Sequence, residues 1–507
     1  MPPGRCVPRA APFCADMAEI AVVDPGARIV DRWEGWGCSL SWWAVCSAHW
    51  PESARAEACR RLFSRTSDAL GLSICRYNAG GTAPTADPAP YRPGGRVLAM
   101  LDRDGSWRPE RDAAQISCLR LARRSGANRF ELFVNSPPWW MLRSGSTRGG
   151  DGGGENLEPG HERDYAEWLA ETAARLECEA DVRFGSVAPF NEPSAWWWNG
   201  ATSGQEGCRV SWPAQARVVR HLNEALRRRG VRAVAACSDE NGAHEAYNTL
   251  DWLTRPEGGA LRAHAIGRLN VHAYHGWEWQ ERLRDLSAAR GVPAVWMSEV
   301  TYREWGEPAY VPNDMRCALP VSRSIVGDVR RLGCRGWVYW QPVEPLSFSL
   351  TYRYTYGFLQ AAVDVGVPWG GRIYGPGDCV VARSFHVMMQ FSRFVLPGFR
   401  VVRSGDDWTL AAHSPSGDRL VLVAHHDGEG PRELRYDLRR FARAGETAAA
   451  WRTQNDDASG AWACRAIPAL PVRGGTLEVT LPPRSVTTYR IDDMRLTPEM
   501  SVDAGQK

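Results

Sequence analysis

The sequence predicts a (β/α)8 barrel with an appended small antiparallel β-sandwich, a fold class supported by three observations. Eight short apolar runs alternate with amphipathic stretches between residues 35 and 340. After about residue 391, apolar and polar residues alternate one by one, as they do in antiparallel strands. No GxGxxG or GxxxxGK[ST] motif follows the first run, which argues against the main alternative, a doubly wound open sheet.

The apolar runs have the length of buried strands, and each ends in polar or glycine residues. They cover residues 35–40, 72–77, 129–134, 184–190, 231–237, 268–273, 294–297 and 336–340. Helical patterns lie between them, with apolar residues at three- and four-residue spacing, as in residues 163–180, 213–230 and 321–336. Eight strands alternating with helices satisfy the requirements of a closed parallel barrel.

The C-terminal segments DWTLAAHS, RLVLVAHHD, TLEVTLPP and SVTTYRID predict the β-sandwich, and EIAVVDPGARIVDRW near the N-terminus has the same alternation. We therefore expect a disordered segment over residues 1–18, strands over 19–34 that join the sandwich, the catalytic barrel over 35–390, the sandwich over 391–492 and a flexible tail over 493–507.

Composition narrows the possible functions. The net charge is +3, which gives no attraction toward nucleic acid or an anionic membrane. The 14 cysteines are spread along the chain without a CxxC pair, which favours buried thiols over a disulfide framework or a metal site. The first 20 residues contain no apolar stretch of signal-peptide length, so we expect a cytoplasmic protein as the sequence is written, or a secreted one if the true start differs.

Tryptophan is the unusual residue, with 24 copies, several of them adjacent and next to glycine, proline or asparagine. Such clusters fit loops, where flat rings stack on the apolar faces of sugars. We expect Trp139, Trp140 and the triplet that begins at Trp196 to bind sugar in this way.

Carboxylates at the carboxyl ends of the strands are the candidates for catalysis, because barrel active sites lie at that end. Those that follow the predicted strands are Glu192, Asp239, Glu240, Glu299 and Glu344. Glu192 and Glu299 end the fourth and seventh strands, which face each other across the barrel mouth. Asp239 and Glu240 are adjacent and point to opposite faces, so at most one of them enters the mouth.

Two facing carboxyl groups perform glycoside hydrolysis: one protonates the leaving oxygen while the other attacks the anomeric carbon or activates water. A separation of about 5 to 5.5 Å implies retention, and about 6.5 to 9.5 Å implies inversion. Burial and the partner's charge raise one pKa and so divide the roles. Asn191, beside Glu192, is placed to hydrogen-bond the sugar 2-hydroxyl.

The blocks EGWGCSLSWWA, RYNAGG, ANRFELFVNSPPWWM, VAPFNEPSAWWW, GQEGC, SDEN, NVHAYH, WMSEV, WVYWQPVE, YGFLQ and FHVMMQFSRFVLPGF resemble glycoside hydrolase family 30, and within it the endo-β-1,6-galactanase branch. The likeness extends from about residue 20 to past residue 399. It implies that Glu192 is the acid/base and Glu299 the nucleophile, without metal or organic cofactor. It further implies sugar-subsite residues, namely Arg76, Asn135, Asn191, His272, Tyr274 and Trp340.

We therefore expect a retaining endo-acting hydrolase of β-1,6-galactan, monomeric, with a β-linked galacto-oligosaccharide or polysaccharide as its partner and no nucleic acid or membrane. The alternatives are another activity of the family (β-glucosidase, β-xylanase or exo-β-galactosidase) or a non-catalytic carbohydrate-binding protein. Three other features have simpler explanations: Glu131 fits a hydrogen-bonded barrel-interior group, His272 and His275 lack the spacing of a zinc site, and the glycine-rich residues 144–156 fit a loop.

Overall fold

The computed structural model describes residues 18–85, 90–301, 314–346, 357–362, 366–369, 372–375, 378–455 and 463–498. The N-terminal segment expected to be disordered lies outside the described residues except for residue 18, as does the expected tail from residue 499 onward. Across the described ranges, no helix combines the length and the apolar character that crossing a membrane requires.

The fold class predicted from the sequence is confirmed. Two strands come first, β1 (Glu19–Val22) and β2 (Asp24–Val30). The next eight close into a parallel barrel: β3 (Gly35–Ser39), β4 (Ile74–Asn78), β5 (Arg129–Phe133), β6 (Phe184–Ala188), β7 (Val234–Gly242), β8 (Arg268–His275), β9 (Val295–Val300) and β10 (Gly336–Tyr339). Each predicted run overlaps one barrel strand, and β10 pairs with β3 to close the circle.

Helices cover the outside of the barrel and follow its strands. They are α1 (Trp43–Cys46), α2 (Glu52–Phe63), α3 (Ala113–Ser125), α4 (Glu162–Ala180), α5 (Trp212–Arg228), α6 (Ala243–Thr254), α7 (Gln280–Arg290), α8 (Met315–Leu332) and α9 (Arg383–Ser392). The three helical patterns correspond to α4, α5 and α8.

Helix α8 begins and ends earlier than its pattern predicts. It begins at Met315 because the side chain of Asp314 accepts a hydrogen bond from the backbone N–H of Arg316 and so caps the first turn. It ends at Leu332 because Gly333 adopts a φ of 65°, a conformation that glycine takes without a Cβ clash.

The remaining strands lie after the barrel. Five short ones form two small sheets: β11 (Val343–Pro345), β12 (Leu359–Ala361), β13 (Val367–Trp369), β14 (Arg372–Tyr374) and β15 (Cys379–Val381). Eight longer ones follow: β16 (Arg400–Arg403), β17 (Thr409–His413), β18 (Arg419–His426), β19 (Arg432–Asp437), β20 (Thr447–Gln454), β21 (Arg465–Arg473), β22 (Thr476–Leu481) and β23 (Ser485–Asp492).

The eight C-terminal strands join β1 and β2 in one ten-stranded sheet, ordered β1-β19-β22-β21-β20-β23-β18-β17-β16-β2. The two N-terminal strands therefore occupy opposite edges: β1 pairs parallel to β19, and β2 pairs antiparallel to β16. Strand β21 pairs with both β20 and β22, so the sheet folds over on itself there and encloses a core of its own.

Strand β18 shows how this sheet is fixed to the barrel. Leu420, Leu422 and Ala424 face the core enclosed by the sheet, whereas Val421 and Val423 belong to the large core that includes the barrel helices. The alternation follows from the two-residue period of a strand, and both faces are buried. The sandwich is thereby packed against the barrel along its length rather than tethered by a linker.

Candidate active site

The ends of strands β6 and β9 bring Glu192 and Glu299 together at the carboxyl end of the barrel. Glu299 lies within β9, and Glu192 lies four residues beyond the last residue of β6. Both side chains are buried, with 6% and 5% of their surface exposed. A carboxylate oxygen of each lies within 4.8 Å of the other.

Glu192 has an uncommon backbone conformation. Its φ is 47° and that of Asp239 is 55°, both in the left-handed region that non-glycine residues rarely adopt. The N–H of Glu192 donates to the carbonyl of Asp239 at 2.7 Å, so each residue helps to hold the other in place. Conformations of this kind concentrate at functional sites, where the surrounding structure enforces them.

The tryptophan triplet surrounds Glu192, and its three members differ. The indole N–H of Trp197 donates to the Glu192 carboxylate at 3.2 Å, and that of Trp198 donates to the Glu192 backbone carbonyl at 3.0 Å. Trp196 is 73% exposed. The Nδ2 of Asn241 also donates to Glu192, at 2.5 Å. Trp197 and Asn241 therefore hold the carboxylate and Trp198 holds the backbone of Glu192, while Trp196 presents its ring to solvent.

Glu299 accepts hydrogen bonds from two different donors. The hydroxyl of Tyr274 donates to its Oε1 at 2.9 Å, and Nη1 of Arg76 lies 3.4 Å from its Oε2. Burial raises the pKa of Glu299 to about 7; the charges of His272 and Arg76 oppose this rise, and those of Glu192 and Asp239 add to it.

Beneath the two carboxylates lies a set of alternating charges that we call the axial column, formed by His272, Asp239, Arg76, Glu131 and Arg268. Arg76 contacts Asp239 and Glu131, each at 2.7 Å, and Arg268 contacts the other oxygen of Glu131. All five side chains are buried. Glu131 is thus the hydrogen-bonded interior group expected from the sequence.

Arg76 and His272, both expected to line the sugar subsite, are fully buried, at 0% exposure. The donors of Arg76 point to Glu131, Asp239, Glu299 and the carbonyl of Ser298. Arg76 therefore supports the carboxylates from below, and its place in the sugar subsite stays a prediction.

His272 lies between three carboxylates. Its Nδ1 is 3.2 Å from Glu192 and 3.7 Å from Glu299, and its Nε2 is 3.3 Å from Asp239. Burial lowers the pKa of His272, but these three carboxylates outweigh burial and raise the pKa to about 10. The imidazole is therefore a cation at neutral pH.

Glu192, His272 and Glu299 are also the one group within the described residues whose atoms are close enough to hold a metal ion. The positive charges of Arg76 and protonated His272 oppose a cation there, and a metal would have to displace the His272 proton.

The amides expected at the sugar subsite have unsatisfied polar atoms. Both side-chain atoms of Asn135 and the Oδ1 of Asn191 are buried without a protein partner in the described structure. Such atoms are costly to bury unless a ligand or water completes their hydrogen bonds. Their state fits the predicted role of both residues in binding sugar hydroxyls.

The aromatic residues expected to bind sugar lie in different parts of the structure. Trp340 is buried and packs edge-on against Trp42 at 5.0 Å and Phe133 at 5.9 Å, within the cluster at the barrel mouth. Trp139 is 38% exposed. Trp140, 5.8 Å from Trp139, packs against the main core and lines a side cleft with Trp168 and Met141, so the structure does not bring it to the carboxylates.

Sequence reasoning did not single out Asn241, it assigned Trp197 to sugar stacking rather than to holding Glu192, and it expected at most one of Asp239 and Glu240 to enter the mouth. The opposite-face rule does separate the adjacent acids: Asp239 joins the axial column, whereas Glu240 accepts from Ser194 and Thr249, outside the cluster around Glu192. Glu344 lies in β11 and accepts from Gln341. The SDEN block drew attention to Asn241, but no local pattern in the sequence shows which carboxylate the Asn241 amide contacts.

The chain is similar to several known proteins. The model of O-Glycosyl hydrolase family 30 matches residues 28–252. An endo-beta-1,6-galactanase from Hypocrea rufa is 29% identical over 452 residues, covering 83% of this chain and 85% of that protein. An exo-beta-1,6-galactobiohydrolase from Bifidobacterium longum subsp. longum is 22% identical over 86% of this chain, which spans only 36% of that longer protein.

Among solved structures, a glycoside hydrolase family 30 subfamily 8 xylanase from Clostridium acetobutylicum superposes with a TM-score of 0.65 at 17% identity, covering 93% of this chain and 99% of the xylanase chain. At that identity the likeness concerns the fold, a barrel with an appended β-domain. The family match and the relative from Hypocrea rufa show a glycoside hydrolase that is similar to those of family 30.

Proposed function

We propose that the protein is a retaining endo-hydrolase of β-1,6-linked galactan, with Glu299 as the nucleophile and Glu192 as the acid/base. The observation that carries the retaining mechanism is the approach of the two carboxylates to within 4.8 Å. That spacing fits direct attack on the anomeric carbon and leaves too little room for the water that an inverting enzyme places between its acids. The names of both relatives support β-1,6-galactan as the substrate.

The surroundings of the two acids support the assignment of roles. Glu299 touches the permanent cation Arg76 and accepts from the Tyr274 hydroxyl, both of which stabilise a carboxylate anion. Asn241 and Trp197, both neutral donors, orient Glu192, which also lies 3.2 Å from His272 but makes no ion pair with Arg76. An oriented carboxyl that alternates between charged and neutral forms is what proton transfer requires.

In the first step, a carboxylate oxygen of Glu299 forms a bond to the anomeric carbon as the glycosidic bond breaks, and the Glu192 proton moves to the leaving oxygen. In the second step, Glu192 takes a proton from water, and the water oxygen displaces Glu299. The positive charge that develops at the anomeric carbon favours the ionised form of Glu299 within the occupied site.

The names of the relatives leave two modes of cleavage, internal and from the chain end. We favour internal cleavage because the protein covers 85% of the endo-acting relative and only 36% of the exo-acting one. The lengths of the first products distinguish the two modes.

The test measures sugar release from debranched β-1,6-galactan by the wild-type protein and by Glu299→Gln. The products are separated by length, and NMR shows which anomer of the new reducing end appears first. We expect a ladder of short oligosaccharides released as the β-anomer, and a loss of at least about 1,000-fold in the variant. Release of disaccharide alone would support exo action, and first appearance of the α-anomer would contradict retention.

Glu192→Ala tests the division of roles on an aryl β-galactoside whose leaving group needs no proton. We expect Glu192→Ala to retain much more activity on the aryl galactoside than on the polymer, whereas Glu299→Ala loses both. The reverse pattern would exchange the two roles.

A further inference from the structure

The end of the barrel opposite the carboxylates contains a cleft of about 320 Å³. It lies where the strands begin: Arg129 starts β5, Arg268 starts β8, and Arg335 directly precedes β10. Because catalytic groups of a parallel barrel lie at the carboxyl ends of its strands, this cleft is separate from the site described above. We call it the floor cleft.

The charges that line the floor cleft are unbalanced. Four arginines, Arg129, Arg183, Arg268 and Arg335, line it together with one carboxylate, Glu34. Arg268 is neutralised by Glu131, and Arg183 lies 3.6 Å from Glu177. Arg129 and Arg335 remain, and among the described residues neither has a carboxylate within 4.0 Å.

The one acid in the cleft already has a donor. The Oε2 of Glu34 accepts from the indole N–H of Trp296 at 2.8 Å, and the ring of Trp296 also packs under the guanidinium of Arg268 at 3.5 Å. Glu34 keeps its negative charge and offsets part of the excess, but it forms no ion pair with Arg129 or Arg335, two half-buried residues that both line the cleft.

We infer that the floor cleft binds a small, doubly charged oxyanion of the phosphate or sulfate class between Arg129 and Arg335. A planar guanidinium donates two parallel N–H groups to such an anion, and half-burial strengthens the attraction relative to open water. Arg268, buried at the inner wall of the cleft, adds its field to theirs.

The state of Arg268 agrees with this inference. Burial lowers the pKa of Arg268 to about 9; Glu34 opposes this effect, and the cations Arg76 and Arg129 add to it. An anion beside Arg129 would relieve part of that repulsion. The floor cleft thus contains more positive charge than its own residues balance.

The inference is tested on the full chain by titrating inorganic phosphate at constant ionic strength, with binding followed by calorimetry and by the thermal unfolding midpoint. We expect saturable binding of phosphate and of sulfate, a higher unfolding midpoint on saturation, and no saturable effect of acetate. Arg129→Gln and Arg335→Gln should each weaken binding about tenfold. The control is Arg473→Gln, an exposed arginine of β21 in the sandwich, which should bind phosphate as the wild type does.

The absence of saturable phosphate and sulfate binding would overturn the inference, as would equal binding by the wild type and a folded Arg129→Gln/Arg335→Gln double variant. If the double variant does not fold, the two single variants decide: unchanged affinity in both contradicts the floor site. Galactan hydrolysis in phosphate-free buffer should be unchanged in the single variants, since neither residue contacts the carboxylate pair.

Discussion

The two interiors of the molecule, one along the barrel axis and one inside the sandwich, are stabilised by different forces. The barrel axis contains the charges Arg76, Glu131, Asp239 and Arg268, all at 6% exposure or less. The sandwich core is made of aliphatic side chains such as Leu420, Leu422 and Leu477, closed by aromatic rings.

The two interiors differ in how much stability is lost when one contact is removed. An aliphatic core tolerates loss of one contact with a graded penalty, because its attractions are numerous and non-directional. A buried charge that loses its partner leaves the remaining charge unsolvated, which costs far more. The charges that support the candidate active site therefore lie in the less tolerant interior, and the more tolerant aliphatic core stabilises the sheet.

The largest expected effect is the loss of stability when the charged interior of the barrel is disrupted. Glu131→Leu leaves Arg76 and Arg268 buried without their shared carboxylate, so we expect a loss of about 3–5 kcal/mol in the free energy of unfolding, measured by urea denaturation. Glu478→Gln, which removes an exposed ion pair with Arg435 in the sandwich, should change it by less than about 1 kcal/mol. Equal effects of the two substitutions would abolish the contrast.

The next largest effect is the loss of stability when the aliphatic core of the sandwich is disrupted. Leu422→Ala creates a cavity in the sandwich and should cost about 2–5 kcal/mol. Because no charge is exposed or orphaned, kcat/KM measured well below the unfolding transition should equal that of the wild type. A fall in kcat/KM without unfolding would show that the sandwich core controls the site.

The pH dependence of kcat/KM sharpens the comparison within the barrel. Glu299 has a raised pKa of about 7, and as the proposed nucleophile it must be ionised to attack, so kcat/KM on β-1,6-galactan should rise as the pH increases through about 7. His272→Gln removes a cation that lowers this pKa, and the rise should move to higher pH. An unchanged pH profile of kcat/KM would mean that another group determines its rise with pH.

The smallest effect concerns the tryptophan triplet. Trp197→Phe retains an aromatic ring and removes the N–H that donates to Glu192, so we expect kcat/KM to fall about tenfold. Trp196→Phe, at the exposed neighbour, keeps a stacking surface and removes no hydrogen bond to Glu192, so kcat/KM should stay close to that of the wild type. Similar losses in both variants would assign the triplet to sugar stacking instead.

The strands were predictable because burial on both faces leaves continuous apolar runs in the sequence. The pattern missed the carboxyl ends of β7 and β9, which extend to Gly242 and Val300, because polar residues such as Asp239 and Glu299 interrupt the apolar run while remaining in the strand. The candidate active site lies at those interruptions.

The axial column was not predictable because it is assembled across the barrel. Arg76 and Glu131 are 55 residues apart in the chain, and Arg76 and Asp239 are 163 apart. A single sequence contains local periodicity, which fixes the elements, but it does not show which interior charges meet. Trp140 illustrates the same limit, since the adjacent Trp139 differs from it in surroundings.

The axial column also has a consequence for how the barrel is assembled. Its members come from β4, β5, β7 and β8, so a fragment containing the first four barrel strands would hold Arg76 and Glu131 but lack Asp239, His272 and Arg268. The complementary fragment would lack the opposite set. In neither half do the buried charges of the axial column have all of their partners. Separately expressed halves should therefore remain unfolded until they are mixed, and the barrel should then close in one cooperative event.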